Sequence, residues 1–512
     1  MLMASDISKC YTGRVGLGLD FDILYSAVQL INKTCPHSDL FFDHASDNVP
    51  RLTATACEVI GQTGWCRYPN NEVWVRLSVW KLPLLQLVSQ FSRPPLGLKG
   101  EVFAIVHLIG NPANTVFSLL KKLVKCQEIS QHFRRRLRNG GIELALIVIS
   151  YDELEDGEGN RARDTILRKY IHKRMWANPD RSQRGWQWDR CERVARSLAA
   201  DRTTTFFPIV IALTLFVSAL ALALTRFSTS PPTNSDPINV EAHSIAFSAL
   251  YFYVITAVFL SSMIGVSQTE WAIPRILSDL NKLGIVLPSQ NNLTELRLHH
   301  GGLYSWQQWE RYRNDSVLTD SVLLALTFVS VAIGPLSSIL ISWYTPPEGW
   351  NCRHYAYIGV MLLYALSAGL DIPIGRRFWW AFSKDLVFGL MNLILVGLTQ
   401  LGIFNSCTCW TRFGKAGLPL PQEDAVFEII KLQFKTKFLY ITIGGIGVQI
   451  IICGISCWWF HDAYTVLVQR DDGTPNLSWL WTLLRQLRWR RTYQEIHPAA
   501  CGTGSYLSSI NS

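Results

Sequence analysis

Three carboxylic acids beside long apolar segments are the residues of this sequence that could most readily do chemistry. Glu270 directly follows one apolar run, Asp371 ends another and Asp385 begins a third. Ionisable groups at membrane depth are energetically costly, so their presence there indicates a function. Partial burial would raise the pKa of a carboxyl group and keep it protonated, as a general acid, near neutral pH. We therefore take Glu270 and Asp371 as the candidate catalytic acids.

Each candidate acid also has a basic residue close to it in sequence, which gives an alternative interpretation. Glu270 could pair with Arg275, and Asp371 with Arg376, as ion pairs at the membrane interface. Such pairs would anchor the helix ends and need no catalytic role.

The motifs of several enzyme classes are missing from the sequence. It has no Gly-x-x-x-x-Gly-Lys-Ser/Thr loop, no Gly-x-Ser-x-Gly turn, no His-Glu-x-x-His pair and no Rossmann glycine pattern. Nucleotide-driven pumping and common hydrolysis therefore lack support. The acidic run 152–156 has the spacing of a diphosphate-binding motif, but glycines follow it at once, so we interpret it as a solvated turn. We expect neither a metal nor a cofactor.

Six charge-free apolar segments could cross a membrane, which takes roughly 20 residues in a helix. They are residues 203–225, 244–269, 321–344, 355–370, 386–411 and 438–460. A further segment, 102–120, contains His107, Asn111, Pro112 and Asn114, and could be a broken or re-entrant membrane helix or a buried helix-turn-helix. We predict an all-α integral membrane protein: a bundle of six to eight transmembrane helices with a mixed N-terminal cytoplasmic cap.

The sequence divides into three regions by composition. Residues 1–202 are the predicted cap, residues 203–460 the bundle, and residues 461–512 a basic amphipathic cytoplasmic tail. The many Lys and Arg residues in 161–202 place that end of the bundle in the cytoplasm. The basic segment 412–437 disagrees with this orientation, because six alternating spans would put it outside.

Composition and charge indicate the partners. Apolar residues make up 49% of the chain and charged residues 17%, and the net charge of +9 is concentrated beside apolar runs. This distribution predicts contact with a bilayer containing anionic lipids, and no nucleic acid. The 12 cysteines form no metal-binding or disulfide signature, so we interpret most of them as small buried hydrophobic residues.

The second apolar segment carries hydroxyl groups at helical spacing. Positions along one face include Ser244, Ser248, Tyr251 and Ser262. This face should point into the bundle, either because it lines a site or because small hydroxyl residues commonly pack membrane helices together.

Two stretches of the membrane half carry a resemblance to a known group. HSIAFSALYFYVITAVFLSSMIGVSQTEWAIPRIL and TTTFFPIVIALTLFVSALALAL resemble fungal multi-pass membrane proteins, some of them membrane-bound terpene cyclases of meroterpenoid pathways, of the ascofuranone and ascochlorin type. The resemblance covers residues 203–460 and is one of pattern and layout, so it carries over no functional residue.

The resemblance implies an enzyme of fungal secondary metabolism. Such a cyclase would act, without a metal, on a lipophilic prenylated small molecule, with or without an epoxide, by acid-initiated carbocation chemistry in the endoplasmic reticulum or another endomembrane. A transporter or channel is an alternative, in which the same carboxyls would relay protons or ions; a non-catalytic membrane scaffold is another. No internal repeat of transporter type is visible, which counts against transport.

Overall fold

The structure is a computed structural model in which the chain is mostly helical. It describes residues 42–44, 50–52, 82–92, 97–136, 141–151, 153, 181–203, 206–229, 238–267, 269, 271–281, 317–345, 350, 352–374, 378–400, 418–419 and 434–468. The helices are α1 (Leu82–Ser89), α2 (Gly97–Gly110), α3 (Pro112–Arg136), α4 (Gly141–Tyr151), α5 (Arg181–Asp201), α6 (Phe206–Thr229), α7 (Ile238–Leu250), α8 (Tyr253–Ile264), α9 (Ala272–Asn281), α10 (Val317–Tyr344), α11 (Cys352–Ile374), α12 (Phe378–Gln400), α13 (Leu439–Trp459, after a π-helical turn at Phe434–Phe438) and α14 (His461–Val468).

Short strands supplement the helices. They are β1 (Phe42–His44), β2 (Pro50–Leu52), β3 (Arg202–Thr203), β4 (Val266–Ser267) and β5 (Leu418–Pro419). Strand β2 pairs antiparallel with both β1 and β5, and β3 pairs antiparallel with β4. The β3–β4 pair connects the segment before α6 with the segment after α8.

Five of the described helices are long and apolar enough to cross a membrane, or six if the bent pair α2–α3 is one broken span. The five coincide with predicted segments 203–225, 244–269, 321–344, 386–411 and 438–460, which supports a multi-pass helical membrane protein. The sixth predicted segment, 355–370, lies in α11, which is not counted among the five. Segment 102–120 contains the junction of α2 and α3, which meet at 111°.

The helices before residue 203 pack directly on those after it. Helix α2 contacts α12, and α3 contacts α8, α10 and α14. Residues Met1–Val468 accordingly group into one compact unit. Of the predicted tail, residues 461–468 form α14 in this unit, and the amphipathic stretch from residue 477 onward lies outside the described residues.

The hydroxyl-bearing segment forms the centre of the bundle. Helices α7 and α8 are buried over almost all of Ser244–Ile264, whereas most of α6 and α12 is not. Ser248 Oγ donates to the carbonyl of Ser244 at 3.0 Å, and Ser262 Oγ donates to that of Phe259 at 2.7 Å. These hydroxyls are satisfied by their own helix, as expected where small residues let helices pack closely.

A neutral polar network joins three of the spans. The amide of Gln449 in α13 donates to the carbonyl of Ser330 in α10 at 2.8 Å. Its oxygen accepts hydrogen bonds from the hydroxyls of Thr256 in α8, at 2.5 Å, and of Ser330, at 3.0 Å. Buried hydrogen bonds of this kind fix the helix register.

The free cysteines among the described residues mostly match the expectation of small buried side chains. Cys126, Cys191 and Cys453 are buried and Cys457 is half-buried. Cys352 differs, because it is disulfide-bonded. Disulfides form in oxidising compartments.

A three-membered ion cluster fastens the end of α8. Glu153 lies 3.0 Å from Lys122 Nζ and 3.0 Å from Arg202 Nη2. Arg202 is buried and also donates to the carbonyl of Ile264 at 3.4 Å. Burial alone would raise the pKa of Glu153, but the charges of Arg202 and Lys122 together outweigh it and hold that pKa below its ordinary value of 4.5.

We expect Glu153→Gln to lower the free energy of unfolding by about 2 kcal/mol near neutral pH, because Lys122 and Arg202 lose the negative charge between them and one of its two acceptor oxygens. A lowered folded-state pKa stabilises the protein above the unfolded-state pKa, and that contribution is lost as the pH falls through the folded-state pKa. The difference between variant and wild type should therefore be constant above an ordinary carboxyl pKa and shrink under acid. Thermal unfolding across a pH series measures it; a difference that stays the same down to strongly acidic pH would contradict this assignment.

Candidate functional site

The structure places Asp371 in an ion pair inside the helical bundle. Its Oδ1 accepts a hydrogen bond from Lys384 Nζ of α12 at 2.5 Å, and its Oδ2 accepts one from Asn111 Nδ2, also at 2.5 Å. The observed partner is thus Lys384, while Arg376 lies outside the described residues. The other predicted acid, Glu270, also lies outside the described residues.

Asp385 belongs to the same network. Its side chain is buried, and its two oxygens face different partners: Oδ1 lies 2.9 Å from Lys384 Nζ, and Oδ2 lies 2.6 Å from His107 Nδ1. With Asp385 ionised, His107 donates this hydrogen bond from Nδ1. The five side chains of His107, Asn111, Asp371, Lys384 and Asp385 are called the ion network below.

The junction between α2 and α3 positions two members of the network. Pro112 occupies the first turn of α3, where its missing N–H removes no helical hydrogen bond. Asn111 precedes it as the N-cap, and its Oδ1 accepts the backbone N–H of Asn114 at 3.2 Å. One side chain therefore caps α3 and binds Asp371. The positive end of the α3 dipole lies beside that carboxylate and stabilises it.

Two glycines let α2 and α12 come close enough for His107 to reach Asp385. A Cβ built on Gly110 would lie 2.0 Å from the carbonyl oxygen of Asp385. A Cβ built on Gly389, one turn further along α12, would lie 3.6 Å from the Gly110 Cα. The two backbones touch here, and only a glycine allows that approach at position 110.

Lys384 is the centre of the network. Besides the two carboxylates, its ammonium group donates to the carbonyl oxygen of Ser367 at 2.7 Å and lies 3.3 Å from the Ser367 hydroxyl. Only 4% of the side chain is exposed. Four oxygen atoms thus surround a charge that water barely reaches.

Among the residues that the structure describes, the network combines the carboxyl groups of Asp371 and Asp385, the ammonium group of Lys384 and the imidazole of His107. A buried charge that loses its partner costs several kcal/mol, so these groups depend on one another.

An aromatic cluster adjoins the network. The hydroxyl of Tyr253 donates to the carbonyl of Leu108, the residue after His107, at 3.2 Å. The ring of Tyr253 lies 5.8 Å from that of Tyr364, whose hydroxyl accepts a hydrogen bond from Asn392 at 2.9 Å. All three side chains are buried. Two buried tyrosine rings therefore lie next to the ion network.

The sequence predicts part of this site: Asp371 is a candidate acid, Asp385 begins a span, and segment 102–120 contains His107 and Asn111. Lys384 lies just before the predicted span 386–411, whereas the helix α12 begins at Phe378 and contains it. The sequence signal for Lys384 is its position directly before Asp385, because adjacent opposite charges at the start of an apolar helix can neutralise each other.

No group of three or more His, Cys, Asp or Glu side chains is arranged to hold a metal ion among the residues that the structure describes. A scan against protein-family models finds no match, and neither does a search of curated proteins or of solved structures.

Proposed function

We propose that this chain is a proton-coupled membrane transporter of a small solute, and that the ion network is its proton-exchanging site. The observation that carries the proposal is a buried network of two carboxyl groups, an ammonium group and an imidazole at the break between two helices. Ionisable residues inside membrane bundles commonly relay protons. Discontinuous helices commonly build the binding sites of transporters.

Asn111 is the residue through which protonation would act on the fold. It binds Asp371 and caps α3 with the same side chain. Any proton that reaches Asp371 weakens its attraction for Lys384 and for the N-terminus of α3. The angle between α2 and α3 is then free to change, which gives the two conformations that coupled transport requires.

The proposal also includes the compartment and the orientation of the protein in its membrane. We place the protein in an endomembrane such as the endoplasmic reticulum, with six to eight spans and residues 161–202 on the cytoplasmic side. The disulfide-bonded Cys352 supports this orientation. The basic tail would rest on anionic lipid.

A titration tests proton exchange without knowledge of the solute. Infrared difference spectra of purified protein between about pH 5 and about pH 8 should show a protonated carboxyl band that Asp385→Asn or Asp371→Asn removes. Asp320→Asn is the control, because that carboxylate pairs with Lys121 at the start of α10, away from the network. The proposal fails if no band changes with pH, or if the band is the same in both network variants as in the wild type.

Transport itself is tested in proteoliposomes. A pH gradient should drive uptake from a solute panel, measured as a change in internal pH. Uptake by wild type but not by Lys384→Met supports the proposal, while equal uptake by both contradicts it.

A terpene cyclase is the second candidate, and the aromatic cluster favours it. Tyr253 packs its hydroxyl against the residue next to His107, so aromatic rings that could stabilise a carbocation adjoin an acid–base pair. Because Lys384 contacts both Asp371 and Asp385, the better proton donor for this candidate is His107, which Asp385 orients. Glu270 remains a candidate acid.

The cyclase is tested in a host that makes a linear prenylated precursor, with or without an epoxide. Membranes containing the protein should yield a cyclic product, and Asp385→Asn should lower the yield at least about tenfold. Unchanged precursor in wild-type membranes, under conditions where a known cyclase converts it, rules the cyclase out for that substrate. Uptake without conversion would identify transport instead.

A further inference from the structure

Aromatic rings gather at the end of the bundle where α10 ends and α13 begins. The ring of Trp343, in the last turn of α10, lies 6.4 Å from that of Trp350, and the ring of Trp350 lies 5.6 Å from that of Tyr355 in α11. These three side chains are 41%, 38% and 49% exposed, although most large side chains in the centre of the bundle are buried. They are called the aromatic rim below. The buried ring of His354 stacks on Trp350 at 4.9 Å and holds the rim in place.

A cationic side chain lies beside the aromatic rim. Lys437, in the π-helical turn before α13, has its Nζ 4.0 Å from the centre of the Tyr344 ring, and Tyr344 directly follows Trp343. The lysine is exposed. One candidate span ends at Tyr344 and another begins at Lys435, so this contact lies at the depth where a bilayer meets water. Aromatic faces, which carry partial negative charge, and an ammonium group therefore lie side by side at the level of the lipid headgroups.

We propose that the aromatic rim and Lys437 form a binding site for the headgroup of a choline phospholipid. Aromatic faces attract a quaternary ammonium group, which cannot donate hydrogen bonds. The phosphate of the same lipid is negatively charged and pairs with the ammonium group of Lys437. Phosphate and choline are adjacent in this headgroup, as Lys437 and the rim are in the protein. The inference is independent of the ion network and of the proposed function.

The surface of α10 next to the rim suits the acyl chains of such a lipid. Leu336, Leu340 and Trp343 follow one another at intervals of four and three residues, so they share one face of the helix. All three are exposed. A lipid whose headgroup binds at Trp343 can therefore lay an acyl chain along the two leucines. The occupant of this site is accordingly a membrane lipid and not free phosphocholine.

The two parts of the site favour different features of a headgroup. Ethanolamine ends in a primary ammonium group, which is compact and strongly hydrated, so it gains less from an aromatic face than choline does. A glycerol headgroup carries no positive charge and can use only Lys437. The rim therefore predicts a preference for choline over ethanolamine, whereas Lys437 contributes to the binding of any phospholipid.

Thermal unfolding of the purified full-length protein in a mild detergent tests the inference. Phosphatidylcholine, phosphatidylethanolamine and phosphatidylglycerol with identical acyl chains are titrated, and the lipid concentration at half of the maximal rise in melting temperature measures the affinity. The wild type should bind phosphatidylcholine at least about threefold more tightly than phosphatidylethanolamine. Trp343→Leu and Trp350→Leu should each abolish this preference, and Lys437→Gln should weaken the binding of all three lipids.

Three controls make the result specific. Trp458→Leu removes a tryptophan that is 40% exposed, as Trp343 nearly is, but lies at the opposite end of α13, so the preference for choline should remain. Trp343→Phe keeps an aromatic face and should retain part of the preference, which gives a second test if leucine at this position prevents folding. Soluble phosphocholine at the same concentrations should not raise the melting temperature, because it lacks acyl chains.

The inference is overturned if phosphatidylcholine and phosphatidylethanolamine bind the wild type equally, or if Lys437→Gln leaves all three affinities unchanged. Loss of the preference in Trp458→Leu as well as in Trp343→Leu would also overturn it, because the rim would then act only as part of a general interfacial belt of aromatic residues. A rise in melting temperature with soluble phosphocholine equal to that with the lipid would reject a membrane lipid as the occupant. None of these outcomes changes the tests of proton exchange and solute uptake, so the proposed function stands or fails separately.

Discussion

Replacing Gly110 by alanine should destabilise the protein by about 3 kcal/mol, at the upper end of the usual cost of overpacking. The added Cβ would lie 2.0 Å from the carbonyl oxygen of Asp385 and 2.8 Å from its carbonyl carbon. Because the obstacle is backbone, no side chain can rotate away, and α2 must move off α12. That movement would also lengthen the contact between His107 and Asp385.

Gly397→Ala in the same helix α12 is the matched control. No atom of the residues that the structure describes lies within 4 Å of a Cβ built there. Alanine also favours helix over glycine by about 1 kcal/mol, so this variant should be neutral or slightly stabilised. Thermal unfolding in one detergent compares the two substitutions. Equal melting temperatures would show that α2 and α12 do not meet at Gly110.

The same glycine illustrates what sequence could and could not predict. Long charge-free runs predicted the positions of five helices correctly, because the length and composition of a segment are enough to show whether it can cross a membrane. Asn111 and Pro112 after Gly110 indicate a helix break, but nothing local in the sequence shows that Gly110, unlike Gly397, touches another backbone. Gly110 cannot be replaced because it contacts the backbone of Asp385 and Gly389, which lie 275 or more positions away in the sequence. Contacts at such separations leave no periodic pattern in the sequence.

The ion network was only partly predictable for a related reason. A charge-free segment ends at the first charged residue, so the predicted spans end at Leu370 and begin again at Leu386. In the folded chain the charges of Asp371, Lys384 and Asp385 neutralise one another, and this allows both helices to continue through them. His107 lies 278 residues from Asp385, and only the fold shows that it is the partner.

The hydroxyl face of α7 and α8 gives a contrasting case. Its inward orientation was predicted from spacing, and the segment is indeed buried. Its hydroxyls bond mainly to their own helix, and Gln449 supplies the link to the neighbouring spans. A pattern that identifies a buried face therefore does not identify a site. The candidate functional site differs from this hydroxyl face in its charged side chains, which surround Lys384.

Lys384→Met should lower the free energy of unfolding by about 3–5 kcal/mol, because it leaves the buried carboxylate of Asp385 and the half-buried carboxylate of Asp371 without their shared cation. Adding Asp385→Asn to this variant should then raise its stability, although the same substitution alone should lower that of the wild type. The sign reverses because one buried charge is removed in the first background, whereas an ion-pair partner is lost in the second. Glu192→Gln, in the exposed pair with Arg196, serves as a control and should change stability by less than about 1 kcal/mol. A double-mutant cycle measured by thermal unfolding decides the matter: if Asp385→Asn lowers stability equally in both backgrounds, Lys384 contributes packing, and charge compensation is not what holds α11 and α12 together.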